Sequence, residues 1–158
     1  MNLEEAMADI DNRKLSNEKR MNLDIAKMQY NTQSYNQALK VIKCIMPNLV
    51  NTLHKQGLEI DSFAIVKTGH DNTWTEDSKL KLNLCLTRFN KKIRFIAHSG
   101  YDKHGRGLNH NRLVAKAEKL QKAINDGTGL MNVSVNPFSF QSDTDDMDKT
   151  ILCDIWVC

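Results

Sequence analysis

The 158-residue chain is short of cysteine, proline, glycine and aromatic side chains, and each shortage narrows what it can be. Cys44, Cys85, Cys153 and Cys158 stand apart, with no CxxC pair, which argues against structural zinc and for a reducing compartment. Three of the four lie in apolar or alternating segments, where cysteine behaves as a small hydrophobe. No apolar run approaches the ~20 residues needed to cross a bilayer, and no basic-then-apolar leader opens the chain. The expectation is an intracellular, cytoplasmic protein with no membrane partner. Asn132-Val-Ser134 matches a glycosylation sequon, which without secretion carries no weight.

Motifs are as scarce as residues. Walker, GxGxxG, HExxH, HNH, helix-turn-helix, zinc-finger and RNP patterns are all missing, so neither a cofactor nor a metal is expected. There is no repeat or composition break to require a second domain, and a chain of this length buries roughly 70% of its unfolded surface without staples. Sixteen asparagines and seven methionines beside two prolines give a composition compatible with a small viral or mobile-element accessory protein.

What the chain does have is an uneven charge distribution. Its net charge of +3 conceals three blocks: −2 over residues 1–78, +10 over 79–122 from 12 basic and 2 acidic side chains, and −5 over 123–158. A basic block between acidic ones implies a polarised surface and directs attention to an anionic partner.

The first 33 residues are polar and glycine-free, with weak helical spacing in Leu3, Met7 and Ile10 and again in Met21, Ile25 and Met28, the second piece capped by Ser16. They are expected as an N-terminal helical extension whose marginal helices need a partner surface. A single α+β domain is expected over 34–158. Ser34-Tyr-Asn-Gln37 has the capping-box pattern, and Ala38, Ile42, Ile45, Met46, Leu49 and Leu53 form one stripe of a helix that Pro47 should kink or divide and Gly57 should end.

From Ile60 the period changes to two. Strands are predicted at Ser62–Thr68 and through Leu80, Leu82, Leu84 and Leu86, with Asn90-Lys91 turning into a partner strand Lys92–His98. Leu113, Ala117, Leu120 and Ile124 mark a helix ended by Asp126-Gly127. Met131, Val133 and Val135 begin a strand that Pro137 interrupts, and Ile151–Val157 forms the last. The predicted fold is α+β: N-terminal helices, then an antiparallel or mixed sheet of about five strands with one inserted helix.

The stretch HSGYDKHGRGLNHNR, His98 to Arg112, lies between a predicted strand and a predicted helix. Gly100, Gly105 and Gly107 permit close backbone approach, and free amides at the incoming helix favour an anion. Asn109 or Asn111 is the expected cap. Lys103, Arg106 and Arg112 add charge, and arginine grips phosphate with two parallel bonds. His98, His104 and His110 are spaced six apart, a spacing that no metal motif uses; with Asp102 and Tyr101 they suggest acid–base work only weakly. The wider block adds Arg88, Arg94, Lys116 and Lys119, the last two sharing a helix face. Its aromatics, Phe89, Phe95 and Tyr101, are too few for a stacking platform of the RNA-recognition type. The acidic connection Gln141–Asp148 lacks the glycine and terminal glutamate of a calcium loop, and Trp74 is expected to fold back onto the core.

The reading that follows is a non-enzymatic binding protein holding nucleic-acid phosphate or a nucleotide. Its expected contacts are Arg88, Arg94, His98, Lys103, His104, Arg106, Arg112, Lys116 and Lys119, with Gly100, Gly105 and Gly107 as loop backbone. Two alternatives stand beside it. One is a protein-interaction module, an inhibitor or adaptor, using residues 1–33 for self-association or docking; the other is a small hydrolase using the histidine loop.

Overall fold

A computed structural model describes residues 1–13, 25–67, 80–98 and 100–156, with side chains from position 36 onward in the second helix. Ser16, Met21, Trp74, the polar loop 69–78 and Cys158 lie outside the described residues, as do the side chains of Ile25 and Met28.

Among the described residues the first elements are the helices α1 (Leu3–Arg13) and α2 (Ile25–Lys55), followed by strands β1 (Leu58–Lys67) and β2 (Leu80–Arg88). Helix α3 (His110–Thr128), strand β3 (Val133–Val135), a 3-10 turn (Pro137–Phe140) and strand β4 (Thr150–Trp156) complete the order. The class is α+β, as the periodicities predict. The sheet has four strands rather than about five, in the order β1-β2-β4-β3, and every pairing is antiparallel.

Alternation decides the sheet's two faces. Leu82, Leu84 and Leu86 of β2 are buried while Lys81, Asn83, Cys85 and Thr87 between them are half-buried. Ile151, Cys153 and Ile155 of β4 continue the buried face, which meets Ile42, Met46, Leu49 and Leu53 of α2 and Leu113, Ala117, Leu120 and Ile124 of α3 in one core. Burial and Asp154 push the Cys153 thiol up to about 12, so it is an inert part of that core.

Four local expectations are corrected. Helix α2 begins nine residues before Ser34, because a capping box starts a helix only where the preceding chain is not already helical, and no glycine or proline interrupts Ile25–Gln33. Position 33/34 therefore lies inside a helix. Pro47 does not divide α2: its cost of about 3 kcal/mol is outweighed by burying Ile42, Met46, Leu49 and Leu53, at about 1.5–3 kcal/mol each. Residues 92–98 form no partner strand, since β1 and β4 already occupy both edges of β2; the segment crosses instead to a single parallel bridge, Ile96 to Gln141. Gly57, at φ +79°, ends α2 as expected.

Asp126-Gly127 does not end α3, which runs to Thr128 and stops at Gly129 in the left-handed region, φ 75°. Gly127 has another use. A Cβ there would collide with the Oγ1, Cγ2 and Cβ atoms of Thr52 on α2, so the glycine permits the close approach of the two helices. Gly127→Ala is expected to cost about 1–3 kcal/mol through overpacking, a Tm fall of about 2–4 °C for each kcal/mol, with Thr52→Ala restoring part of it. Additive melting temperatures in that pair would show that the contact is slack.

Candidate functional site

Helix α3 organises the basic block. Its core stripe Leu113, Ala117, Leu120 and Ile124 faces inward, and Arg112, Lys116 and Lys119, at steps of four and three, form a second stripe alongside. Arg112 and Lys119 are exposed and Lys116 is half-buried. Burial first, then the nearby cations Lys119, Arg112 and Arg94, hold the Lys116 ammonium below the usual lysine range. Those three cations therefore act on the Lys116 charge through space. None of the four has a carboxylate partner among the described residues.

Beside this stripe lies a cleft of about 280 Å³, lined by Lys55, Gln56, Lys92, Ile93, Lys116, Lys119, Leu120 and Phe140. It presents four lysines and no carboxylate. Lys92 reaches it because its ammonium donates to the Lys55 carbonyl at the end of α2, where a cation complements the helix dipole.

At the N-terminal end of α3 a second, smaller cavity of about 110 Å³ is bounded by His98, Tyr101, Leu108, Asn109, His110, Phe138 and Gln141. The two cavities share walls. Segment 92–98 supplies Ile93 to one and Ala97 and His98 to the other; the 3-10 turn supplies Phe140 and Phe138 in the same way. Ile96 donates to the Phe140 carbonyl at 2.8 Å and accepts from Ser142 at 3.0 Å, which locks these two walls together.

The glycine loop is built differently from expectation. Tyr101 bridges Gly107, Leu108 donates to the Gly100 carbonyl at 2.9 Å, and Gly105 at φ +78° turns the tip. The Asp102 carboxylate accepts from the amides of His104 at 2.8 Å and Arg106 at 2.9 Å. Those two bonds, Arg106 first, hold its carboxyl below the usual range. The anion that these loop amides bind is thus the loop's own aspartate, as in an Asx turn. Arg106 lies 4.0 Å from the same carboxylate. Asn109 occupies the cap position but makes no capping bond; its amide donates to the Ala97 carbonyl at 2.7 Å, pinning the loop to the opposite wall.

Of the residues expected at the site, Lys116 and Lys119 line the cleft, Arg112 lies on the same helical stripe, and Arg94 adds to the field that disfavours the Lys116 charge. His98, Gly100 and Gly107 line the small cavity. Lys103, His104 and Gly105 sit exposed at the loop tip and line neither cavity. Arg88 is removed from the set: its side chain is fully buried, donating to the Ile93 carbonyl and to Asp145, both at 2.7 Å, with its guanidinium 4.2 Å from the Phe95 ring centre. Its Nε and Nη2 have no partner among the described residues. Sequence reasoning missed Lys55, Phe138 and Gln141 altogether, because each reaches the groove from a distant segment.

Ala6 and Ile10 of α1 are buried in the domain's own core, and Arg13 lies over the Phe63 ring and donates to the Phe63 carbonyl at 2.9 Å. The described part of the N-terminal segment therefore already has its partner surface. In the histidine loop, Asp102 is engaged by its own amides rather than by an imidazole. Among the described residues no three His, Cys, Asp or Glu side chains converge as metal ligands, and no helix is long and apolar enough to cross a membrane. Comparison with protein-family models, curated proteins and solved structures finds no match.

Proposed function

We propose that this chain is a non-enzymatic binding protein whose α3 groove holds an anionic partner, the phosphate backbone of a nucleic acid or a nucleotide. One observation carries the reading: the cleft beside α3 is lined by Lys55, Lys92, Lys116 and Lys119 with no carboxylate in its walls, and Lys119, Arg112 and Arg94 add to the burial that disfavours the charge of Lys116. Among the described residues, Arg13, Lys43, Lys81, Arg88, Lys91 and Arg106 do have carboxylate partners: Asp9, Asp11, Asp154, Asp145 for both Arg88 and Lys91, and Asp102. Cations held together against their own repulsion are an electrostatic cost to folding, and such clusters mark sites where a ligand supplies the missing charge. The mechanism is counterion release: each phosphate neutralised by lysine or arginine frees condensed cations. Four contacts predict that log K falls against log salt with a slope of about −3 for a single strand. Fluorescence polarisation of a labelled oligonucleotide across a salt series measures it, and salt-independent binding would rule the mechanism out.

A further inference from the structure

The small cavity at the head of the cationic stripe has a composition that charge alone does not explain. Tyr101, Leu108 and Phe138, exposed by 69%, 61% and 58%, gather around it with the rings of His98 and His110. A soluble domain rarely leaves aromatic and aliphatic surface together without a use for it. The polar groups among them are of both kinds. Gln141 hydrogen-bonds the Nδ1 of His98, and whichever of the two donates, the pair keeps one further donor and one further acceptor. Asn109 spends its amide on Ala97, which leaves its carbonyl oxygen as a second acceptor.

We infer that this cavity receives one unpaired nucleobase, which makes the ligand of the groove a single-stranded nucleic acid. The inference rests on the anion-binding reading above and adds a ligand class to it. Size argues for a base rather than a whole nucleotide: about 110 Å³ is near the ~150 Å³ cavity that takes one benzene ring and well below the ~300 Å³ at which drug-sized pockets begin. Chemistry argues for a base rather than an apolar side chain of a protein, because donor and acceptor groups beside π-faces match the edge and face of a base together. Length argues for a strand. Lys119 at the cleft is nine helical steps from His110 at the cavity, about 14 Å at 1.5 Å each, several times the ~3.4 Å charge spacing along one stacked strand. A base inside a duplex cannot enter, since its faces are already stacked and its edge already paired.

The test uses the full chain and labelled strands of about 12 nucleotides, within the ~4–16 typical of single-strand sites. Ribose and deoxyribose strands are compared with an abasic strand of equal length and with the matching duplex. A base-bearing single strand should bind at least about tenfold more tightly than the abasic strand or the duplex, with either sugar. Tyr101→Ala and Phe138→Ala should each weaken it by about 5- to 100-fold and leave abasic-strand affinity unchanged, as expected when a stacking ring is removed. Both side chains are more than half exposed, so neither truncation threatens the fold. Salt-sensitive binding that is equal for base-bearing and abasic strands, or indifferent to both substitutions, would overturn the nucleobase pocket while leaving the basic groove in place. Failure of every strand to bind the unmodified chain would overturn the groove itself.

Discussion

Reversing two charges on one helical stripe, Lys116→Glu with Lys119→Glu, is expected to lower oligonucleotide affinity about 100-fold at about 0.1 M salt while the protein melts no earlier than before. That size is the lower end of what losing two charge-assisted contacts at about 1.5–3 kcal/mol each implies, with every 1.4 kcal/mol worth about tenfold. The salt slope should flatten with it, from about −3 to about −1.4, because two phosphate contacts remain of four. The undiminished stability is the sharper half. Lys116 sits beside Lys119, Arg112 and Arg94, which disfavour its charge, so carboxylates introduced there replace repulsion with attraction. Polarisation titrations and thermal melts on one preparation measure both effects. A stable variant that binds as before would remove the stripe from the site, and one that fails to fold would show Lys116 to be structural.

Arg88→Ala is expected to do the reverse: to lower stability by about 3 kcal/mol, a Tm fall of about 6–12 °C, and to leave the affinity of the folded protein within about twofold. The guanidinium lies inside the protein, on Phe95, between the Ile93 carbonyl and Asp145, so its loss removes a charge-assisted bond and leaves a void rather than a binding contact. Acid adds a second signature. The Arg88 hydrogen bond, with help from Lys91, holds the Asp145 carboxyl below its ordinary 3.8. Stability from that depression is complete above 3.8 and is lost as pH falls through the lower folded value. The Tm gap between the two proteins should accordingly be widest near about pH 6 and narrow towards about pH 3. A binding defect without a stability defect would return Arg88 to the groove.

These two residues also mark how far the sequence could be read. Both belong to the same +10 block and differ in nothing local that separates a ligand contact from a buried tie. The difference lies in Asp145, 57 positions away, which pairs with Arg88 and not with Lys116. The alternation of β2 and the stripe of α3 were legible because their periods are contained within the element itself. The strand expected at 92–98 was not, because edge occupancy belongs to the whole sheet. Asp102 is an intermediate case: its bonds span only two and four residues, so the turn was visible in principle, but glycines beside basic residues suggest an external anion just as well. The cleft needed Lys55 from one helix beside Lys116 from another, and no window along the chain contains that neighbourhood.

The fit of Gly127 against Thr52 has a kinetic consequence. Thr52 lies one turn before Lys55 on α2, and Gly127 two turns beyond Lys119 and Leu120 on α3, so the helices that carry the cleft's lysines meet closely at one end. A glycine-to-side-chain contact has few alternative packings, which leaves the cleft little room to widen or close. If the cleft holds an anion as proposed, its ordering is complete before the ligand arrives, and capture is expected at the rate of electrostatically steered encounter without a conformational step. Differences in affinity among ligands should be found mainly in how long each one stays.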